Sequence, residues 1–151
     1  MISYYDLVNF LETLSNDKNV DSIVERLNSL NVSLEGDRYY RFLDHLSLMI
    51  QNRLTNAFNE LVSEKEDIKN DDRLFEDKFK DYTDEVSLCF QIASTKLVNE
   101  ENQIEVGRII MNVNNTLLNQ LKDVLDTDDE DIIRIIDNAY LEENNKEENV
   151  E

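Results

Sequence analysis

Residues 38–62 read RYYRFLDHLSLMIQNRLTNAFNELV, and this stretch decides the fold. Apolar side chains recur in it at Tyr39, Phe42, Leu43, Leu46, Ile50, Leu54, Ala57, Phe58 and Leu61, in steps of three and four. That period lays them along one side of an α-helix. Its 25 residues make a rod of about 38 Å, since each residue adds 1.5 Å. Neither Gly nor Pro interrupts it. A rod with so continuous a stripe cannot bury that stripe alone, so other helices must pack against it.

Carboxy-terminal to this rod, Ser63 to Asp72 is nearly all polar, and Asn70-Asp71-Asp72 has the residue types of a helix start. A second long helix, Asp72–Leu97, then carries Leu74, Phe75, Phe79, Tyr82, Val86, Cys89, Phe90, Ala93 and Leu97 on its inner side. It is expected to run antiparallel to the first, with Glu76 and Lys80 spaced to support it from outside. Asn99 to Gln103 reads as a break, and Asn102 with Glu105 as the cap of a helix holding Val106, Ile109, Ile110, Val113, Leu117, Leu121 and Leu125. Thr127 and Glu130 form a capping-box pattern ahead of a last short helix. Its apolar stripe is Ile132, Ile133, Ile135, Ile136, Ala139 and Tyr140.

Amino-terminal to the rod, Ser3 with Asp6 opens a helix from Tyr4 to Leu14. A second short helix carries Val20, Ile23, Val24, Leu27 and Leu30, and Asn31 to Asp37 is a loop. The fold class is therefore all-α. A single bundle of about six helices spans residues 1–141, with two long central antiparallel helices. Residues 142–151 are too polar to pack and are expected to form a disordered acidic tail. Composition agrees: Pro is absent and Gly occurs only at Gly36 and Gly107, whereas sheets recruit both for tight turns. The scarcity of Gly, Pro and Ala beside abundant Asn, Ile, Asp and Glu suggests an AT-rich genome, bacterial, phage or viral.

A net charge of −19 and a pI near 4.2 bound the function more tightly than any motif. Binding nucleic acid or an anionic membrane requires clustered Lys and Arg, so neither is an expected partner. A basic protein is, because an anionic surface steers cationic partners toward itself. Cys89, the one cysteine, sits in an apolar run and reads as a small buried hydrophobe. The sequence shows no signal-peptide pattern and no apolar run of membrane-spanning length, which points to the cytoplasm of the producing or infected cell.

Catalytic patterns are sparse. With two distant glycines, neither a phosphate-cradling loop nor a dinucleotide fingerprint can be written. The single histidine, His45, shares a positive helical face with Arg38 and Arg41 and has no nucleophile motif or second ligand beside it. Asp126, Asp128, Glu130 and Asp137 fall at positions 1, 3, 5 and 12 of a calcium loop, yet Asp131 occupies the turn position that requires Gly. Glu64/Asp67 and Asp81/Asp84/Glu85 have the helical spacing by which MazG-type nucleotide pyrophosphohydrolases hold magnesium. No cofactor or metal is expected.

The leading expectation is a non-enzymatic binding module. It would occupy the basic, nucleic-acid-binding site of a partner protein, in the manner of phage-encoded inhibitors and DNA mimics. The carboxylates expected to carry it fall in two groups. One lies around the second long helix: Glu64, Glu66, Asp67, Asp71, Asp72, Glu76, Asp77, Asp81, Asp84 and Glu85. The other precedes the last helix: Asp126, Asp128, Asp129, Glu130 and Asp131. One alternative is a bundle that takes a partner helix in an apolar groove, as viral Bcl-2-like, immunity and chaperone proteins do, using the Ile132–Tyr140 stripe with Tyr5, Tyr40, Leu48 and Val62. The other is the magnesium-dependent hydrolase.

Overall fold

The stripe of residues 38–62 winds into helix α1 (Asp37–Val62) of the computed structural model, which describes residues 36–142 together with Tyr5, Asn9, Leu11, Glu25, Arg26 and Asn28. Gly36 starts it at φ 57° and ψ −135°, a conformation that essentially only glycine adopts without strain. Its carbonyl accepts from Tyr39 N at 3.1 Å. Phe42, Leu46, Ile50 and Leu54 are fully buried along the predicted stripe.

Four more helices follow among the described residues: α2 (Lys65–Ile68), α3 (Asp72–Ala93), α4 (Glu100–Leu125) and α5 (Glu130–Asp137). No described residue is in a strand, and no described helix is long and apolar enough to cross a membrane. Arg53 of α1 meets Glu85 of α3, while Ile50 meets Cys89, so these two helices run antiparallel. Tyr82 meets Asn114 and Phe90 lies beside Gly107, so α4 reverses direction again. The result is an up-down-up arrangement in which α3 also stacks Phe75 on Phe79, with ring centroids 5.1 Å apart. Val106, Ile110, Leu118 and Leu121 of α4 close the core, and Leu11 from the amino-terminal segment joins it.

The differences from the sequence expectation have local causes. The polar stretch after α1 contains α2, whose Ile68 is fully buried. One apolar side chain in a polar run leaves no period to read, yet burying it is worth about 1.5–3 kcal/mol. Helix α3 ends at Ala93, four residues before the expected Leu97, and Ser94 folds its hydroxyl back onto the Phe90 carbonyl at 3.0 Å. Helix α4 begins at Glu100, inside the expected break. Its start is held by Tyr39, whose hydroxyl accepts from Asn99 N and donates to Asn102 Oδ1, both at 2.8 Å. Lys80 pairs with Asp84 at 2.9 Å instead of Glu76. The helices expected over Tyr4–Leu14 and Val20–Leu30, and residues 143–151 of the expected tail, fall wholly or mostly outside the described residues.

Candidate functional site

The two acidic groups separated in sequence meet at one end of the bundle. Asp71 caps α3, its carboxylate accepting from Leu74 N at 3.0 Å. Asp129, not Thr127, caps α5, accepting from Asp131 N at 2.9 Å and Ile132 N at 3.3 Å. Thr127 is otherwise engaged: its hydroxyl donates to the Lys69 carbonyl at 2.7 Å and accepts from Asp129 N at 3.1 Å. That tie brings the start of α5 beside the start of α3. Asp72, Asp129 and Asp131 then converge, with one carboxylate oxygen of each within 4.8 Å of the others.

Like charges this close repel, and two effects hold them. The positive ends of two helix dipoles favour carboxylates at just these positions, and solvent reaches all three side chains. A residual strain shows in Asp72. Its hydrogen bond to Asp131, partial burial and the nearby charges of Asp129 and Asp131 push its carboxyl above the usual aspartate range.

Around this cluster, charge is unevenly spread. Between Glu60 and Asp84 stand ten acidic and five basic residues, and between Lys122 and Asp137 seven and two. At the opposite end, Asp37 to Asp44 holds two of each, and Lys96 to Arg108 three acidic and two basic. Among the described residues there is therefore an acidic pole, formed by the starts of α3 and α5 and by α2, facing an end where described acidic and basic residues nearly balance. The positive face expected from Arg38, Arg41 and His45 lies at the neutral pole, with both arginines exposed and His45 half-buried.

Not every candidate belongs to the pole. Glu85 turns inward and forms a bidentate pair with Arg53, which is 5% exposed: Nε donates to Oε2, and Nη2 donates to Oε1 at 3.0 Å. It leaves the candidate surface because a buried guanidinium needs a counter-charge. Glu64 pairs with Lys78 at 3.4 Å, Glu66 with Lys69 at 3.0 Å, Asp84 with Lys80 and Asp131 with Arg134 at 2.9 Å. Such exposed pairs contribute about 0–1 kcal/mol and open easily to a competing cation. Among the described residues Asp67, Glu76, Asp77, Asp81, Asp126, Asp128 and Glu130 are exposed.

Among the described residues Glu64, Asp67, Asp81, Asp84 and Glu85 do not come together as a group of three ligands, and Glu85 turns inward to Arg53. Nor can positions 126, 128, 130 and 137 wrap an ion: Glu130–Asp137 is one helix, and Asp137 pairs with Lys122 at its far end. Helix α5 also spends its apolar stripe on the bundle. Ile132 and Ile136 are fully buried, and Ile135, Ala139 and Tyr140 pack against the core. Val62 packs there as well, while Tyr40 and Leu48 stay exposed.

A second polar assembly escaped sequence reading. Asn114 of α4, 1% exposed, accepts from the Tyr82 hydroxyl at 2.8 Å and donates to the Ala139 carbonyl at 3.1 Å. Asn115 pairs with both backbone groups of Leu141, donating to its carbonyl at 2.7 Å and accepting from its N–H at 2.9 Å. Tyr140 donates to Asn119 at 2.6 Å, and the Lys122 ammonium lies 5.1 Å from its ring centroid. The one available signal was an unusual density of asparagine, at 112, 114, 115 and 119, inside a helix that asparagine disfavours.

Comparison with protein families, with curated proteins and with solved structures found no match to this chain.

Proposed function

We propose that this protein is a non-enzymatic binding module that receives a basic partner on its acidic pole, and that the surface it occupies on that partner is one built for nucleic acid. The supporting observation is the convergence of Asp72 with Asp129 and Asp131, far apart in sequence, into one anionic face on a chain of net charge −19. With α5 seated against α3, the helix starts hold these carboxylates as one array, and a partner's lysines and arginines meet it already assembled. A surface made for phosphates accepts such an array by the same charge complementarity.

The test uses two triple variants with equal change of net charge. Asp77→Lys, Asp81→Lys and Asp128→Lys alter the pole at exposed positions without capping roles. Asp44→Lys, Glu100→Lys and Glu101→Lys alter the neutral end. Proteins captured from lysate of the source cell by the wild-type chain at low salt are identified, and the affinity of the main basic species is measured for each chain. The pole variant is expected to bind at least about ten-fold more weakly, and the other within about three-fold of wild type, with wild-type binding falling steeply as salt rises. Equal losses in both variants, or binding indifferent to salt, overturn the proposal.

A further inference from the structure

We infer that α5 and the residues after it, 130–141, form a latch that opens and closes against α3 and α4 as a unit smaller than the whole fold, with Asn114, Asn115, Asn119 and Lys122 as its clasp. Four observations carry this. Residues 139–141 are held through their backbone and one hydroxyl by side-chain amides of α4, and none of the three is fully buried. Helix α5 buries two of its eight residues, Ile132 and Ile136, whereas α1 buries ten of its 26. The hinge between α4 and α5 begins at Asp126, a non-glycine residue at φ 46° and ψ 50°, a conformation that carries backbone strain. At that hinge Asp129 and Asp131 face Asp72, so charge repulsion pushes the latch open.

The forces are therefore opposed and nearly local. Two buried isoleucines, the partly buried Ile135, Ala139, Tyr140 and Leu141, the Thr127–Lys69 tie, the amide clasp and the Lys122–Asp137 pair close the latch. Like charges and a strained hinge open it, and a segment so attached belongs to the low-stability end of a fold. The asparagines also gain a reason: each weakens α4 as a helix, and three of the four at 112–119 are spent on the clasp. Because α5 carries Asp129, Glu130 and Asp131, opening takes the acidic pole apart. That consequence rests on the reading of the pole as a docking surface; the latch does not.

Amide hydrogen exchange on the full chain tests it, in about 20 mM and about 500 mM NaCl, where screening lengths differ several-fold. Amides of Ile133, Asn138 and Leu141 are expected to exchange at least about ten-fold faster than those of Leu117, Leu118 and Leu121. Salt slows the first set by a larger factor than the second. Asn115→Ala speeds the first set by about ten-fold and leaves the second within about two-fold; Tyr140→Phe, which removes the hydroxyl that meets Asn119 and Lys122, does the same to a smaller degree. A common rate for both sets, or a change spread equally over both in every variant, overturns the latch. Latch exchange with unchanged binding by the pole variant leaves the latch standing and removes the docking surface; the reverse pattern does the opposite.

Discussion

Arg53 and Glu85 sit at mid-length of the bundle, and Asp72, Asp129 and Asp131 at its end. In the first place a carboxylate is sealed against its opposite charge; in the second, three carboxylates of one sign are massed together. Water decides between them. Inside, an ion pair survives only with its geometry satisfied, because desolvation costs several kcal/mol per charge. At the end, solvent and two helix starts carry the load, and the repulsion left over is small enough to tolerate. An acidic chain can thus hold a net charge of −19 without destabilising its core, by confining imbalance to surfaces where water and dipoles absorb it.

The contrast is broken most severely at the interior pair. Glu85→Ala takes the carboxylate counter-charge away from a buried guanidinium and should cost about 3–5 kcal/mol, measured by urea denaturation. Arg53→Met combined with Glu85→Leu should recover most of that loss, since the pair itself is worth little beyond what apolar packing supplies. A smaller effect is expected at the pole, where Asp71→Ala removes the carboxylate that accepts from Leu74 N and should cost about 1 kcal/mol.

The smallest effect has the opposite sign. The carboxyl of Asp72 is raised above its unfolded value, mainly by its hydrogen bond with Asp131. Its ionised form therefore opposes folding at neutral pH. As pH falls through the raised value, the native state takes up the proton first and stability is regained; below the unfolded value the difference is gone. Asp72→Asn should accordingly raise Tm at pH 7, with the gain shrinking toward zero as the solution is acidified through the carboxylate range. An unchanged or lowered Tm at pH 7 would show that the cluster carries no strain.

These two regions were unequally visible in the sequence. The core stripe of α1 and the cap at Asp71 depend on neighbours within one or two turns, and period and residue type expose such relations directly. Glu85 looked like its neighbours Asp81 and Asp84, because nothing local distinguishes a carboxylate that meets a buried arginine 32 residues earlier. The convergence of Asp72 with Asp129 depends on a hydroxyl of Thr127 reaching the carbonyl of Lys69, 58 residues away. Thr127 had the right chemistry for a cap, and a tertiary partner claimed it. Asn114 and Asn115 failed for the same reason: polar residues on a helix read as solvent-facing until a backbone segment arrives to meet them.

The lone thiol offers a practical return. Cys89 is fully enclosed, and its enclosure beside Glu85 drives its ionisation far above the normal thiol range. It therefore resists alkylating reagents as long as the protein stays folded. A cysteine introduced at Asp77 or Asp128 can then be labelled alone in the otherwise native chain, giving a single-site optical reporter at either flank of the anionic face.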